Sequence, residues 1–298
     1  MVSFIGFCRR GGSTSFCDDT EKPNMLRCAS SFRASSTRLA LKRGVATDAD
    51  GVPVMGAAEG FVEIASDFTM ALKTKGYYRR TQFLGASRCA AMREDAERLY
   101  GLNRFAASMS VNEEGKQFAK PGVFSTELDA SDFDYAPHCL AYTRDVVTTL
   151  PGILSEALDG KVSSGLYGTK LAVALPGASY PKHVDNACSR DASGAPADKR
   201  WITCIYYLNP NWDHKWGGHL RLYTDESPLD IAPDGDSLVV FFADRIVHEV
   251  LPTTKDDHHQ RFALTIWLCA DEASSDLCAH DRPGSALREA HFPSSTIT

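Results

Sequence analysis

Hydrophobic positions change their period once along this chain. Phe61, Ile64, Ala65, Phe68, Ala71 and Leu72 recur at the i, i+3, i+4, i+7 spacing of one helix face, with Gly76 as a stop. Cys89, Met92, Ala96 and Leu99 repeat the pattern and predict a second helix ending at Gly101. A third is expected over about 137–158, broken at Pro151, because proline lacks the N–H that an interior turn needs. After Gly168 the helical period vanishes. "TKLAVAL", "WITCIYYL", "HLRLY", "SLVVFFA", "VHEVL" and "FALTIWLCA" are short β-branched and aromatic runs separated by Pro, Gly, Asn and Asp. Strands in this number, with few helices between them, predict an antiparallel barrel or sandwich carrying the earlier helices on its outside.

The flanks read differently. Residues 1–58 are rich in Ser, Arg, Ala and Gly without a sustained period, which makes them a low-complexity or targeting tail. Residues 25–45 contain no acid and look like a mitochondrial presequence, although "DDTE" ahead of them spoils that pattern if translation starts at Met1. Residues 272–298 are polar and irregular and are expected to form a flexible C-terminal tail. Both termini are therefore expected to be disordered. Between them lie a helical support region, 59–160, and a β-core, 161–271.

Composition narrows the class. Hydrophobic residues at 43% and charged residues at 23% are ordinary for a soluble globular enzyme. No apolar run approaches the roughly 20 residues of a membrane span, so no membrane partner is expected. Residues 1–45 hold eight basic and three acidic residues; with −6 for the whole chain, the remainder carries −11. An acidic body repels phosphate backbones and argues against nucleic acid as a partner. The nine cysteines are odd in number and lack a C-x-x-C pair. They read as reduced thiols of a cytoplasmic or nuclear protein, with no disulfide framework and no zinc ribbon. Oligomeric state is not legible.

The candidate chemistry starts at "YPKHVDNACS". In an extended strand His183 and Asp185 point the same way, so both can grip one ion; they could equally form a surface pair. His248 in "DRIVHEVLP" sits in an apolar strand pattern, where a histidine is usually a satisfied core residue. Taken with the upstream H-x-D, it completes two histidines and one carboxylate, the facial triad that leaves open positions on Fe(II). Arg261 in "HHQRFALTIW" places a permanent charge in an apolar strand and demands a partner. That partner is either a protein acid or, beside a triad, a dicarboxylate co-substrate held at its far end. Tyr207 could share that carboxylate, while one of Tyr206 and Tyr207 serves packing alone.

From Lys161 to Ala270 the chain resembles the catalytic domain of the hypoxia-inducible-factor prolyl hydroxylases, within the prolyl 4-hydroxylase family of 2-oxoglutarate/Fe(II) dioxygenases. The phrases "HVDN", "WITCIYYLNPNWD", "GGHLRLY", "DSLVVFFADRIVHEV" and "RFALTIW" carry the likeness. It extends more faintly over 60–160, where "GYYRRTQFLG" looks like the family's strand leading into its long helix. The resemblance implies an α+β protein with a double-stranded β-helix, a distorted jelly roll, over 161–271. It implies His183, Asp185 and His248 as iron ligands and Arg261 with Tyr207 as 2-oxoglutarate ligands. Thr203, Leu220 and Trp267 would line that pocket, and Tyr180 and Arg200 would lie near the substrate-facing loop. Fe(II), 2-oxoglutarate, O2 and L-ascorbate as reductant follow as cofactors, and 4-hydroxylation of proline in an intracellular protein follows as the activity, linked to oxygen sensing.

Three departures bear on the substrate. Leu175 stands where family members usually have a tyrosine before "PG". The loops 186–200 and 251–260 are longer than usual, and loops carry specificity. His258 and His259 fall in the second of these and read as solvated; His219 approaches the site without a matching role. Competing readings are a dioxygenase acting on nucleic acid or a small molecule, and a non-catalytic cupin-like metal-binding protein.

Overall fold

The structure, a computed structural model, describes residues 57–111, 117–254, 259–271 and 277–292. The tail expectation for 1–56 and the reading of His258 lie outside the described residues. Helix α1 (Ala58–Lys75) buries Phe61, Ile64, Phe68 and Leu72, residues from the face whose spacing predicted it. It ends at Gly76 with a left-handed φ of 78°. Strand β1 (Tyr77–Thr81) leads to α2 (Ala86–Gly101), which buries Cys89, Met92, Ala96 and Leu99. Strands β2 (Ala106–Val111) and β3 (Gln117–Thr126) precede α3 (Pro137–Ala157).

The β-core then follows as β4 (Val162–Ala174), β5 (Tyr180–His183), β6 (Arg200–Tyr207), β7 (Leu220–Tyr223) and β8 (Pro228–Ile231). It closes with β9 (Ser237–Phe242), β10 (His248–Val250) and β11 (Arg261–Ala270), and α4 (Ser285–His291) lies beyond it. Two antiparallel sheets result, ordered β1-β9-β6-β11-β4-β3-β2 and β5-β10-β7-β8. This is the expected double-stranded β-helix. Helix α3 packs on β4 and β11 of the larger sheet, and α1 and α2 pack on α3. Buried carboxylates tie these layers together. Asp95 of α2 accepts from the His138 and Cys139 N–H groups at the start of α3, at 2.7 and 2.9 Å. Asp236 accepts from Leu84 and Gly85 ahead of α2, and from the Tyr206 hydroxyl at 2.8 Å.

Four expectations are corrected. Helix α3 continues through Pro151: Val147, Leu150 and Leu154 are buried on either side of it, and that burial outweighs the one lost hydrogen bond. The support region is not purely helical, since β2 and β3 extend the large sheet beyond β4. The C-terminal segment is packed where it is described. Ser285 and Arg288 are buried, Arg288 Nη2 donates to the Ala187 carbonyl at 3.2 Å, and the Cys278 N–H donates to Asp244 at 2.6 Å. Finally, Cys188 and Cys278 form a disulfide across 90 residues of sequence. Cysteine spacing could not reveal it, because the fold rather than the sequence brings the two together. Cys89, Cys139, Cys204 and Cys269 are free and buried.

Candidate active site

Pairing between β5 and β10 sets His183 directly opposite His248, with ring centroids 4.1 Å apart. Asp185 follows β5 by two residues, and its Oδ1 lies 3.7 Å from His183 Nε2 and 3.8 Å from His248 Nε2. All three are buried, and their ligand atoms lie within 4.8 Å of one another. Each imidazole is aimed by its own backbone. His183 Nδ1 bonds the Pro181 carbonyl at 2.8 Å and His248 Nδ1 bonds the Ile246 carbonyl at 3.0 Å, which leaves both Nε2 lone pairs facing Asp185. Burial, and after it His248, pulls His183 down to about 4, so this imidazole is neutral, the state a metal ligand requires.

The larger sheet fixes the carboxylate. Thr203 on β6 and Trp267 on β11 are cross-strand partners, and both donate to Asp185 Oδ2, at 2.7 and 3.0 Å. One oxygen is thereby committed to the protein, and the other is left for a metal. Burial opposes this charge, but His248, His183 and Arg200 hold the Asp185 carboxyl well below the usual carboxylate range. Two imidazoles and an ionised carboxylate, with their donor atoms aimed at one centre, fit Fe(II).

Beyond the triad lies a cavity of about 130 Å³, and Arg261 is at its far end. The guanidinium is buried; its Nε donates to the Gly218 carbonyl at 2.9 Å and its Nη2 to the Tyr207 hydroxyl at 3.3 Å. Among the described residues no carboxylate pairs with it. Burial works to lower its pKa and Tyr207 opposes that shift. Leu220 lines the same cavity. Alternation along β6 separates the two tyrosines: Tyr207 faces the cavity, while Tyr206 turns to Asp236 and stacks near Tyr142.

The other expected residues divide. Tyr180 lines the cavity with its ring 4.1 Å from that of His183. Arg200 does not; its guanidinium is bound by Asp198 and lies over the Trp267 ring. His219 and Leu175 are also absent from the cavity wall, and Leu175 donates its N–H to Gly122 at 2.8 Å. His259 is not simply solvated, since it stacks on Trp216 at 3.1 Å between centroids. The sequence reading missed Ser108, Lys120, Lys170 and Thr265, all of which line the cavity. Lys170 was within reach, because in "TKLAVAL" it shares a strand face with Ala172 and Ala174.

Residues 169–269 match the family model of the 2OG-Fe(II) oxygenase superfamily. That range spans the three triad residues, Arg261 and Tyr207, so the likeness to the 2OG-Fe(II) oxygenase superfamily falls on the residues that form the site. Within that class, the chain is 31% identical to the hypoxia-inducible factor prolyl hydroxylase of Caenorhabditis elegans over 214 residues, 68% of this chain and 28% of that one. It is 41% identical to human prolyl hydroxylase EGLN3 over 95 residues, 30% of this chain and 35% of that one. The chain thus spans about a third of the length of each of these relatives. A prolyl hydroxylase from Trichoplax adhaerens, solved in complex with a hypoxia inducible factor oxygen degradation domain peptide fragment, shares the fold. Its TM-score is 0.56 at 23% identity, covering 70% of this chain and 89% of that structure.

Proposed function

We propose that this protein is a peptidyl-proline 4-dioxygenase. In this reading it uses Fe(II), 2-oxoglutarate and O2, with L-ascorbate as reductant, to hydroxylate a proline in a protein substrate. The observation that carries the oxygenase chemistry is Arg261, a buried cation facing the triad cavity with a carbonyl and a phenol as neighbours and no acid among the described residues. Such a charge is costly unless a ligand supplies the anion. The proline specificity is supported by the names of the two relatives.

The residues divide the work. His183, Asp185 and His248 would hold the metal beside the cavity that they line. Arg261 and Tyr207 would take the far carboxylate of 2-oxoglutarate, the arginine through its remaining N–H groups and the tyrosine through its hydroxyl proton. Leu220, Val250, Ile205 and Ala263 make the surrounding wall apolar, which excludes water and strengthens each charged contact. When bound, Fe(II) and 2-oxoglutarate supply the oxidising chemistry that places one atom of O2 in a C–H bond and the other in succinate. With the Arg261 end filled, a proline has to arrive past Tyr180. The target segment must therefore be flexible or locally unfolded, since a ring held in a helix or sheet could not reach between the two sheets.

The test is incubation with Fe(II), 2-oxoglutarate and ascorbate, with and without oxygen. Proline peptides, including a hypoxia-factor fragment and collagen-like Pro-Pro-Gly repeats, are added and the position of any added oxygen is mapped by mass spectrometry. Oxygen-dependent succinate release coupled to hydroxyproline in a non-collagen peptide is expected. Succinate release with no proline modified in any peptide would move the substrate to another class.

A further inference from the structure

One wall of the cavity is more basic than the chemistry above requires. Strands β2, β3 and β4 are neighbours in the larger sheet, and each sends one polar side chain into the cavity: Ser108, Lys120 and Lys170. The Lys120 ammonium lies 3.4 Å over the Tyr180 ring, which in turn meets His183, so it is two contacts from the metal ligands. Ser108 sits where the pairing of β2 with β3 slips between Ala107 and Met109. Its hydroxyl is buried and has no hydrogen-bond partner among the described residues. A buried hydroxyl without a partner calls for a ligand atom.

These groups are separate from the Arg261 end. Arg261 pairs with Ala174 and Lys170 pairs with Thr265 across β4 and β11, so the lysine stands four residues along the strand. At about 3.3 Å per residue that is roughly 13 Å. The cavity wall therefore carries Arg261 and, four residues along the sheet, Lys170, and one dicarboxylate with its keto-acid end on the metal would engage only the arginine. Asp185 acts on both lysines but is committed to the metal site, and Glu127 acts on Lys170. Arg200 adds positive charge nearby and is itself bound by Asp198. Burial, and then Lys170, draws Lys120 down to about 6, while burial draws Lys170 to about 8. An arriving carboxylate would restore the missing proton and gain two charged partners and a hydroxyl donor.

We propose that Ser108, Lys120 and Lys170 form an anion-binding subsite that selects target segments carrying an Asp or Glu carboxylate beside the reacting proline. The proline itself comes from the functional reading above; the subsite is tested by binding, independently of turnover. Fluorescent peptides identical except for Glu, Gln or Lys beside the proline, placed before it in one series and after it in another, are titrated anaerobically. The protein is the full chain loaded with Fe(II) and 2-oxoglutarate. In at least one series the Glu peptide should bind about tenfold tighter than its Gln counterpart, and the Lys peptide more weakly than both, as expected for charge-assisted hydrogen bonds. Lys120→Met combined with Lys170→Met should bring the Glu peptide to the affinity of the Gln peptide. Equal affinity of Glu and Gln peptides in both series overturns the subsite, and this comparison needs no variant to fold. Oxygen is then admitted. An acid preference without hydroxyproline would retain the subsite and remove the prolyl reading; hydroxyproline without an acid preference would do the reverse.

Discussion

Asp185 gives one oxygen to Thr203 and Trp267 and, in the proposed function, the other to the metal, so each half can be tested alone. Asp185→Ala should abolish iron binding and turnover while thermal unfolding still reports a folded barrel; full iron occupancy in that variant would remove Asp185 from the site. Thr203→Val deletes only the 2.7 Å bond to Oδ2. It should weaken iron binding by about ten- to a hundred-fold, the usual effect of losing a partner that orients a ligand. At the cavity's other end, Arg261→Lys keeps a charge and loses the forked geometry. The KM for 2-oxoglutarate should rise by about tenfold or more, since a factor of ten is only ~1.4 kcal/mol; an unchanged KM would mean that the arginine serves the fold alone. Lys120 adds a pH dependence. Its pKa falls from an ordinary 10.5 to about 6 on folding, so between those values the unfolded chain binds the extra proton. Stability therefore rises with pH across that window. Urea midpoints at about pH 7 and about pH 9 should show a flatter slope for Lys120→Met than for the parent.

At the scale of elements, the loop before β7 is shaped around the arginine. Gly218 has φ 66°, and a Cβ there would lie 2.8 Å from Thr253 Cγ2 and 3.1 Å from Arg261 Cδ. Gly218→Ala should therefore displace the guanidinium and raise the KM for 2-oxoglutarate, with kcat at saturation less affected. A KM equal to that of the parent would show that the loop yields without moving Arg261. The same scale shows what the sequence could and could not display. Strands β6, β9 and β11 were legible because both their faces are buried, which leaves unbroken apolar runs. The triad was legible because H-x-D is local and His248 interrupts an apolar pattern. Strands β2 and β3 were not, since "AASMSV" and "QFAKPGVFST" mix small and polar residues with Gly and Pro. Their place in the sheet is decided by pairing with β4, and with them went Ser108 and Lys120. The Asp185 bonds to Thr203 and Trp267 depend on register across β6 and β11, which no single segment encodes.

For the molecule as a whole, the Cys188–Cys278 bond closes a loop that contains most of the β-core. In the chain-entropy account, closing 90 residues contributes roughly 4.6 kcal/mol. For a chain of this size that corresponds to roughly 10 °C in Tm. Dithiothreitol should lower Tm by about that amount, and Cys278→Ser should show the lower value with or without reductant. The tether also reaches the site, because Cys188 follows Asp185 by three residues and Asn186 between them binds the Arg200 and Asp198 carbonyls. This sets an order on biosynthesis. The ribosome completes all three triad residues and Arg261 before Cys278 emerges, so the nascent chain holds the whole candidate site while the stretch after Asp185 still lacks its anchor. A transcript ending or spliced ahead of codon 278 would encode the triad and Arg261 with the stretch after Asp185 left untied.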